Sequence, residues 1–335
     1  MSKSNENTGP AAFPGSDGKE SSTDILDAQT RSVLAMIERD PFLNLDMTPK
    51  EMRQAFDRFY DQIGYPALPV AQVSNFPIPG PAGPIAARAY TPQADAGRAL
   101  PVMVFFHGGG MMMGSLDAYD GLCRRLAHNS GCIIVSASYR LAPENKFPAA
   151  VEDALAAVQW THDNAETLGG DAARLVVGGE SGGGYLAAAV TQILRDKGDD
   201  YIAFQLLINP AIGTRGGSAS MEKYARGFFF EPEMLDWFYT QYLNDMEQLR
   251  DPRVSPILAD RFEGLPPAFI IVAGVDILRN DIELYSRLLA EAGVPVKTST
   301  YEGTIHGFTV MGGLIDAGVR AVDECAETLR DSLNP

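Results

Sequence analysis

The stretch Leu175–Gly184, LVVGGESGGG, decides the predicted fold. An apolar run enters it, glycines surround one serine, and an Ala-rich helical run from Tyr185 to Arg195 follows. Gly179, Ser181 and Gly183 form the pattern G-x-S-x-G, which between a strand and a helix predicts a nucleophile elbow. Such a turn strains the serine backbone, and it needs neighbouring glycines so that the strand and the helix can approach each other closely. It also places backbone N–H groups where negative charge develops. The stretch predicts a catalytic serine, although the pattern alone also fits a surface turn.

Composition narrows the class of protein. The 335 residues include 27 basic and 43 acidic side chains, for a net charge of −16. Such a balance argues against nucleic acid and against anionic membrane surfaces as partners. Cys123, Cys132 and Cys325 form no CxxC pair and no metal-binding spacing, which favours a reducing, cytoplasmic compartment. No apolar run approaches the roughly 18–20 residues of a membrane span, and no secretory signal pattern is present, so no stable membrane association is expected.

The order of elements predicts an α/β protein. Continuous apolar runs, typical of strands buried on both faces, alternate with helical patterns along most of the chain. This alternation predicts a mostly parallel central sheet with helices on both faces. Two β-like runs around a Pro-Gly turn between residues 70 and 91 predict a hairpin. The expected buried strands cover residues 101–106, 132–135, 175–178, 204–208, 268–272 and 296–301.

Two segments interrupt this rhythm, and they set the predicted domain organisation. One is helical and precedes every strand, and the other is Gly-rich and then aromatic. We expect the two segments to meet over one edge of the sheet. The predicted divisions are a polar, disordered arm (1–22), a first helical segment (23–70), the main domain (71–210 and 251–335) and an inserted segment (211–250).

Capping patterns predict two helices in the segment 23–70. Thr23 or Asp24 is the candidate N-cap of the first helix. Thr48, Pro49 and Glu51 form a capping box with proline at the first helical position, which predicts the start of the second.

A catalytic serine needs a base, and the chain has only four histidines. His128 and His162 lie in amphipathic helical patterns, where surface or capping roles are the simpler interpretation. His107 begins a glycine triplet and is better explained as a brace of that loop. His306 follows a predicted strand, which is where an open parallel sheet places catalytic residues. Elimination therefore favours His306 as the general base.

The base needs a carboxylate that orients it and stabilises its protonated form. Asp276 follows the strand 268–272 and precedes His306 by one helix and one strand. Both residues should therefore emerge at the same edge of the sheet. Asp281 is the rival, although its position favours a place on the following helix, and a helix N-cap is the alternative role for either aspartate. We predict a triad of Ser181, His306 and Asp276.

The glycine triplet after the first buried strand predicts an oxyanion hole. Acyl transfer needs hydrogen-bond donors for the developing oxyanion. Glycines at 108–110 let backbone N–H groups face the site without side chains in the way. We assign the donors to Gly108, Gly109 and Gly182.

Together these motifs resemble the hormone-sensitive-lipase-like (bacterial family IV) carboxylesterases of the α/β-hydrolase fold. The resemblance runs from about residue 70 to the C-terminus. It implies a serine carboxylesterase for short- to medium-chain acyl esters, a helical cap formed by 23–70 and 211–250, no metal or cofactor, and a possible homodimer. The matching segments are 107–110, 139–144 with 147–153, 276–278 and 305–308.

The chain departs from this family's pattern at two places. Gly182 stands where the family commonly has alanine, and the residue before the nucleophile is Glu180. Asn280 replaces a second acidic residue after the catalytic acid, which puts the local bracing of Asp276 in question.

Apolar residues near the oxyanion loop and in the inserted segment are candidates for the substrate pocket. Core packing within the cap is the alternative for each of them. Two runs stand out, 111–113 (MMM) and 228–230 (FFF). The predicted lining residues are Met111, Met112, Phe229, Trp237 and Phe238.

Three other functions have partial support in the sequence. Ser220 and Lys223 form S-x-x-K, the pattern of another serine hydrolase class, without its companion motifs. Gly182, Gly184 and Ala187 form G-x-G-x-x-A, but no acidic residue ends the next strand as dinucleotide binding requires. A non-catalytic ligand-binding module on a hydrolase fold is the alternative from a different class.

Overall fold

The protein is represented by a computed structural model that describes residues 25–94, 97–213 and 217–333. The predicted polar arm 1–22 and the candidate caps Thr23 and Asp24 lie outside the described residues.

The described residues form a central sheet whose order is β1-β2-β4-β3-β5-β6-β7-β8. β1 and β2 form the predicted hairpin, β2 also pairs antiparallel with β4, and every pair from β4 onward in this order is parallel. The strands are β1 (Gln72–Gly80), β2 (Gly83–Thr91), β3 (Leu100–Phe106), β4 (Ile133–Ala137), β5 (Gly170–Glu180), β6 (Ile202–Ile208), β7 (Ala268–Val275) and β8 (Val296–Ile305).

Helices cover both faces of this sheet. Every residue of β3, β4 and β7 is buried, as continuous apolar runs require when both faces are packed. The fold class is therefore confirmed as an α/β sheet with a mostly parallel order. The helices are α1 (Ala28–Arg39), α2 (Pro49–Ile63), α3 (Asp120–Ser130), α4 (Ala149–Asp163), α5 (Gly182–Lys197), α6 (Ala219–Lys223), α7 (Pro232–Tyr242), α8 (Arg279–Glu291) and α9 (Asp316–Leu333).

The last two strands are longer than the sequence predicts. The apolar run suggested that β7 ends at residue 272 and β8 at 301, whereas Val275 still pairs with Ile305 beyond an irregularity in the ladder. Gly274 and Gly303 weaken the strand pattern in sequence, but pairing between neighbouring strands restores it. Asp276 and His306 consequently lie directly at the ends of their strands.

The N-terminal helices begin at capped residues. Asp27 caps α1 by accepting a hydrogen bond of 2.7 Å from the Thr30 N–H. The predicted capping box of α2 is confirmed: Thr48 and Glu51 accept each other's backbone N–H groups.

The inserted segment lies against the N-terminal helices. Phe229 of the segment faces Phe42 between α1 and α2, with ring centroids 5.9 Å apart. Phe42 in turn stacks on Phe59 of α2 at 3.8 Å. The two segments that interrupt the strand–helix rhythm therefore touch each other.

Arg53 ties α2 to the loops at the carboxyl edge of the sheet. Its guanidinium donates to the carbonyl oxygens of Met112 and Ala142, both at 2.8 Å. It also pairs with Glu144 at 2.6 Å. One side chain thereby joins an N-terminal helix to two loops that are distant in sequence.

None of the helices within the described residues is long and apolar enough to cross a bilayer.

Replacement of Arg53 by methionine keeps the apolar stem and removes the hydrogen bonds to the two carbonyls. Arg53→Met should lower the free energy of unfolding by about 1–3 kcal/mol, since those acceptors lose a charged donor. Urea denaturation measures the change. Arg58→Met, at an exposed position of the same helix, is the control and should change stability by less than about 0.5 kcal/mol. Equal effects of the two variants would contradict this role of Arg53.

Candidate active site

Ser181 occupies a strained turn between β5 and α5. Its backbone has φ 52° and ψ −115°, a conformation that residues with a side chain rarely adopt. Its N–H donates to the Ile208 carbonyl at 2.9 Å, and its carbonyl accepts from the N–H groups of Tyr185 and Ala211 at 3.0 Å. A Cβ on Gly183 would stand 2.0 Å from the Phe106 carbonyl oxygen, so the helix approaches β3 only because this residue is glycine. The predicted elbow geometry is present.

Ser181, His306 and Asp276 form a connected hydrogen-bond series. Ser181 Oγ lies 2.9 Å from His306 Nε2, and His306 Nδ1 lies 2.7 Å from Asp276 Oδ2. Asp276 Oδ1 accepts a third hydrogen bond from the Leu278 N–H at 2.9 Å. All three residues are buried, and each is the first residue after a strand. This arrangement can move a proton from the serine hydroxyl to the imidazole.

The environment of His306 favours its protonated form. Burial works against the imidazolium charge, but the charge and hydrogen bond of Asp276, with a contribution from Glu180, outweigh it and raise the pKa of His306. The interactions that raise this pKa also stabilise the imidazolium that forms when the histidine takes a proton.

The glycines of the loop 108–110 differ in their surroundings. Gly109, Gly110 and Gly182 line the pocket around Ser181, whereas Gly108 does not. A Cβ on Gly108 would stand 2.1 Å from Glu180 Oε2 and 2.6 Å from the Tyr119 hydroxyl oxygen. The positive φ values of Gly109 and Gly110, 108° and 60°, turn the chain so that these two glycines face the pocket. The assignment of the oxyanion donors to Gly108, Gly109 and Gly182 stays a prediction.

His107 makes the contacts of a loop brace. Its ring is buried and stacked on Tyr139 with centroids 4.5 Å apart, and its Nδ1 lies 2.8 Å from the Gly108 carbonyl oxygen. Burial lowers the pKa of His107 to about 4, so the ring is neutral near pH 7. Tyr139 donates to the His107 carbonyl at 2.9 Å. Nearby, Arg140 donates to the buried Asp153 at 2.8 Å, which explains the segment 139–153 as support for this loop.

Glu180 is a buried acid beside the nucleophile. Its Oε2 accepts from the Tyr119 hydroxyl at 2.8 Å, and a Cβ on Gly108 would stand 2.1 Å from the same carboxylate oxygen. The glycine loop thus packs closely against the acid that precedes Ser181. Burial raises the pKa of Glu180. No sequence pattern pairs Glu180 with Tyr119, since they are far apart along the chain and meet only through the sheet.

The pocket above Ser181 is mainly apolar, and it contains part of the predicted lining. Met111, Phe229 and Phe238 line it as expected. Met112 and Trp237 do not: Met112 is fully buried in the core, and Trp237 is half-buried on α7 with its ring centroid 5.5 Å from that of Phe238. Met113 and Phe230 also line it, and they belong to the two runs that the sequence marks. Other lining residues had no sequence signal beyond helical periodicity; they include Leu43, Phe56, Tyr60, Met234, Leu235, Tyr239, Tyr242 and Val254.

Ser220 and Asn280 brace the loop that carries Asp276. The Ser220 hydroxyl donates to the Ile277 carbonyl at 2.9 Å and accepts from the Asn280 N–H at 3.1 Å. The Ser220 N–H donates to Asn280 Oδ1 at 2.8 Å. This explains how the loop is held with asparagine at 280. The rival acid Asp281 is buried in the first turn of α8, while Asp276 contacts His306.

Comparison with known proteins agrees with this geometry. A family model described as alpha/beta hydrolase fold matches residues 103–310. The carboxylic ester hydrolase LipN of Mycobacterium tuberculosis is 41% identical over 78% of this chain and 71% of its own. An ethyl acetate hydrolase of Pseudomonas putida is 36% identical over 72% and 76%. An α/β-hydrolase enzyme from the metagenome of Lake Arreo, Spain, solved as a serine-to-alanine mutant, superposes with a TM-score of 0.90 at 39% identity, covering 93% of this chain and all of the other.

The chain therefore belongs to the α/β-hydrolase family, in the branch of hormone-sensitive-lipase-like carboxylic ester hydrolases. The family resemblance inferred from the motifs is confirmed.

The buried acid Glu180 predicts a pH-dependent stability. Its folded pKa is raised above the ordinary value of 4.5, so the folded protein holds the proton more strongly, and stability falls as pH rises above that value. Glu180→Gln removes this titration. Urea denaturation at a series of pH values should therefore show the variant gaining stability relative to the natural protein between about pH 4 and 7.

Glu51→Gln is the matched control for this series. The hydrogen bonds from Thr48 lower the pKa of Glu51, so the same comparison should run in the opposite direction. A Glu180→Gln difference that does not vary with pH would contradict the account of this buried acid.

Proposed function

We propose that the protein hydrolyses short- to medium-chain acyl esters through a Ser181–His306–Asp276 triad and an acyl-enzyme intermediate. The observation that carries the proposal is the hydrogen-bond series from Ser181 Oγ through His306 to Asp276, at 2.9 and 2.7 Å. These contacts have the geometry of an activated nucleophile whose base is held by a third group.

The first half of the reaction forms the acyl-enzyme. His306 Nε2 takes the Ser181 proton as Oγ attacks the ester carbonyl carbon, and the carbonyl oxygen becomes an oxyanion. The oxyanion then re-forms the carbonyl, the bond to the alcohol oxygen breaks, and the imidazolium gives its proton to the leaving alcohol. Asp276 stays ionised throughout and stabilises the imidazolium.

The second half releases the acid. His306 takes a proton from water as the water oxygen attacks the acyl carbon, and the collapse of this intermediate breaks the bond to Ser181 Oγ. The proton returns to Oγ, and the carboxylic acid leaves. We assign the oxyanion donors to the N–H groups of Gly108, Gly109 and Gly182. Gly109 and Gly182 line the pocket around Ser181, which supports this assignment.

The pocket supports small apolar acyl groups. Its volume is about 80 Å³ and its lining is aromatic and methionine-rich. A water needs about 10–15 Å³ of such volume, so this space admits a small acyl group. The similarity to an ethyl acetate hydrolase supports the same preference. We propose that 23–70 and 211–250 act as the cap, since Phe56, Tyr60 and Phe230 reach the pocket from them.

The cysteines support a reducing, cytoplasmic location. Cys123, Cys132 and Cys325 are all unpaired and buried. Burial raises the pKa of the Cys132 thiol to about 11, which keeps it protonated and unreactive near neutral pH.

Hydrolysis of p-nitrophenyl esters with two to sixteen acyl carbons tests the proposed activity. Turnover should be highest with short chains, because the pocket is small, and Ser181→Ala should lose several orders of magnitude in kcat. Activity that survives in Ser181→Ala would reject this nucleophile. A folded, inactive natural protein would instead favour the ligand-binding alternative.

The two aspartates near His306 give a ranked prediction. Asp276→Asn should lower kcat by about 10⁴-fold, because the amide favours the wrong histidine tautomer. Asp281→Ala should cost far less activity for each titrated active site, since Asp281 lies within α8. Esterase assays on both variants measure the ranking, and the reverse order would assign the acid to Asp281.

A further inference from the structure

The ring of Phe230 lies on the imidazole of His306. The two ring centroids are 4.5 Å apart and the planes are inclined by only 25°. Both nitrogens of the imidazole are engaged at its edge, one by Ser181 and one by Asp276. Phe230 is 7% exposed and lines the pocket. It therefore covers a face of the histidine, while the polar partners hold the edge.

A strained turn aims Phe230 at the histidine. The Phe230 N–H donates to the Phe228 carbonyl at 2.9 Å, and the residue between them, Phe229, has φ 73°. A hydrogen bond between residues i and i+2 around a positive φ defines a rare and strained γ-turn. A bulky aromatic residue at its centre is an outlier that persists only when its surroundings impose it, and such outliers concentrate at functional sites.

The surroundings of this turn impose its shape. The Gly227 N–H donates to Glu231 Oε1 at 2.9 Å, and Arg226 pairs with Glu231 at 3.0 Å. On the other side, the Phe229 ring faces Phe42, which is stacked on Phe59 of α2. Contacts from both segments that we assign to the cap thus fix the backbone that presents Phe230.

We propose that Phe230 is a positioning residue, which holds the His306 ring in line between Asp276 and Ser181 and keeps water from its face. This role rests on the proposed triad. It also explains the strained turn at Phe229, since a relaxed turn would direct the Phe230 ring away from His306.

The proposal has a signature in the pH dependence of the reaction. The charged groups that face His306 are Asp276 at the end of β7 and Glu180 at the end of β5, and the inserted segment contributes an apolar ring. Loss of that ring would therefore change the hydration of the imidazole and leave its charged neighbours in place. Burial is the largest influence on the pKa of His306 and it opposes protonation, so exposure to water should raise that pKa further.

Three variants test the role. Phe230→Ala removes the ring, and Phe230→Leu keeps an apolar cover of similar reach. Phe228→Ala is the matched control: it truncates a phenylalanine of the same turn with the same 7% exposure, which packs on Tyr224 at 5.7 Å and does not line the pocket. Measurements are kcat, KM and the pH profile of kcat/KM with p-nitrophenyl acetate, each per active site titrated with an organophosphate.

Phe230→Ala should lower kcat by about 10- to 100-fold, because a misplaced base loses near-attack geometry, and should move the acid limb of the profile to higher pH. Phe230→Leu should recover most of kcat, and the acid limb of its pH profile should return towards that of the natural protein. Phe228→Ala should have the kcat and the pH profile of the natural protein. The proposal would be overturned if Phe230→Ala kept the kcat of the natural protein and the acid limb of its pH profile did not move. It would also be overturned if Phe228→Ala lost as much kcat as Phe230→Ala. Failure of the triad itself is separate, since the organophosphate would then not label Ser181 in the natural protein.

Discussion

The positive φ of Ser181 is the constraint on which the rest of the structure depends. A serine in this conformation is unfavourable on its own, so the neighbouring elements must hold it. The Ile208 carbonyl at the end of β6 accepts its N–H, and Tyr185 and Ala211 donate to its carbonyl. Gly183 lets α5 approach β3 closely enough for the turn to close. The parallel sheet and its first long helix after β5 thus present one hydroxyl above the carboxyl edge of the strands.

The same edge explains why the sequence alone predicts that Ser181, Asp276 and His306 lie together. Ser181, Asp276 and His306 each follow directly the last residue of β5, β7 or β8. Parallel strands bring such positions together whatever the loops do, so a motif, an apolar run and an elimination among four histidines were sufficient. The fold class followed from the same alternation of apolar runs and helices. Prediction works here because chain position alone determines where these residues lie.

Other parts of the site depend on contacts that chain position does not determine. Which glycines of the 107–110 loop face the nucleophile depends on the φ values of Gly109 and Gly110, which no letter of the sequence specifies. The partnership of Tyr119 with Glu180 forms across the sheet. Phe56 and Tyr60 lie at the spacing of an apolar helix face, but a core position and a pocket position have the same pattern. The stacking of Phe230 on His306 requires a turn that local propensity disfavours.

The pocket therefore joins two kinds of structure. The sheet supplies the reacting groups at fixed strand ends, and the N-terminal helices with the inserted segment supply the apolar cover. Arg53 links the two by binding carbonyl oxygens of the loops behind the oxyanion glycines. A change in the cover should reach the chemistry through Phe230 and Phe238, since Phe238 packs against Gly110 and Phe230 against His306.

The most direct test of this account is the site at which an organophosphate labels the protein, determined by intact mass and peptide mapping. An activated serine loses its proton to the histidine and displaces the leaving group from phosphorus, whereas an ordinary hydroxyl does not react. The account predicts one phosphoryl group per chain, carried by Ser181, and no label in His306→Ala. Labelling of Ser220, or an unlabelled and folded natural protein, would contradict it.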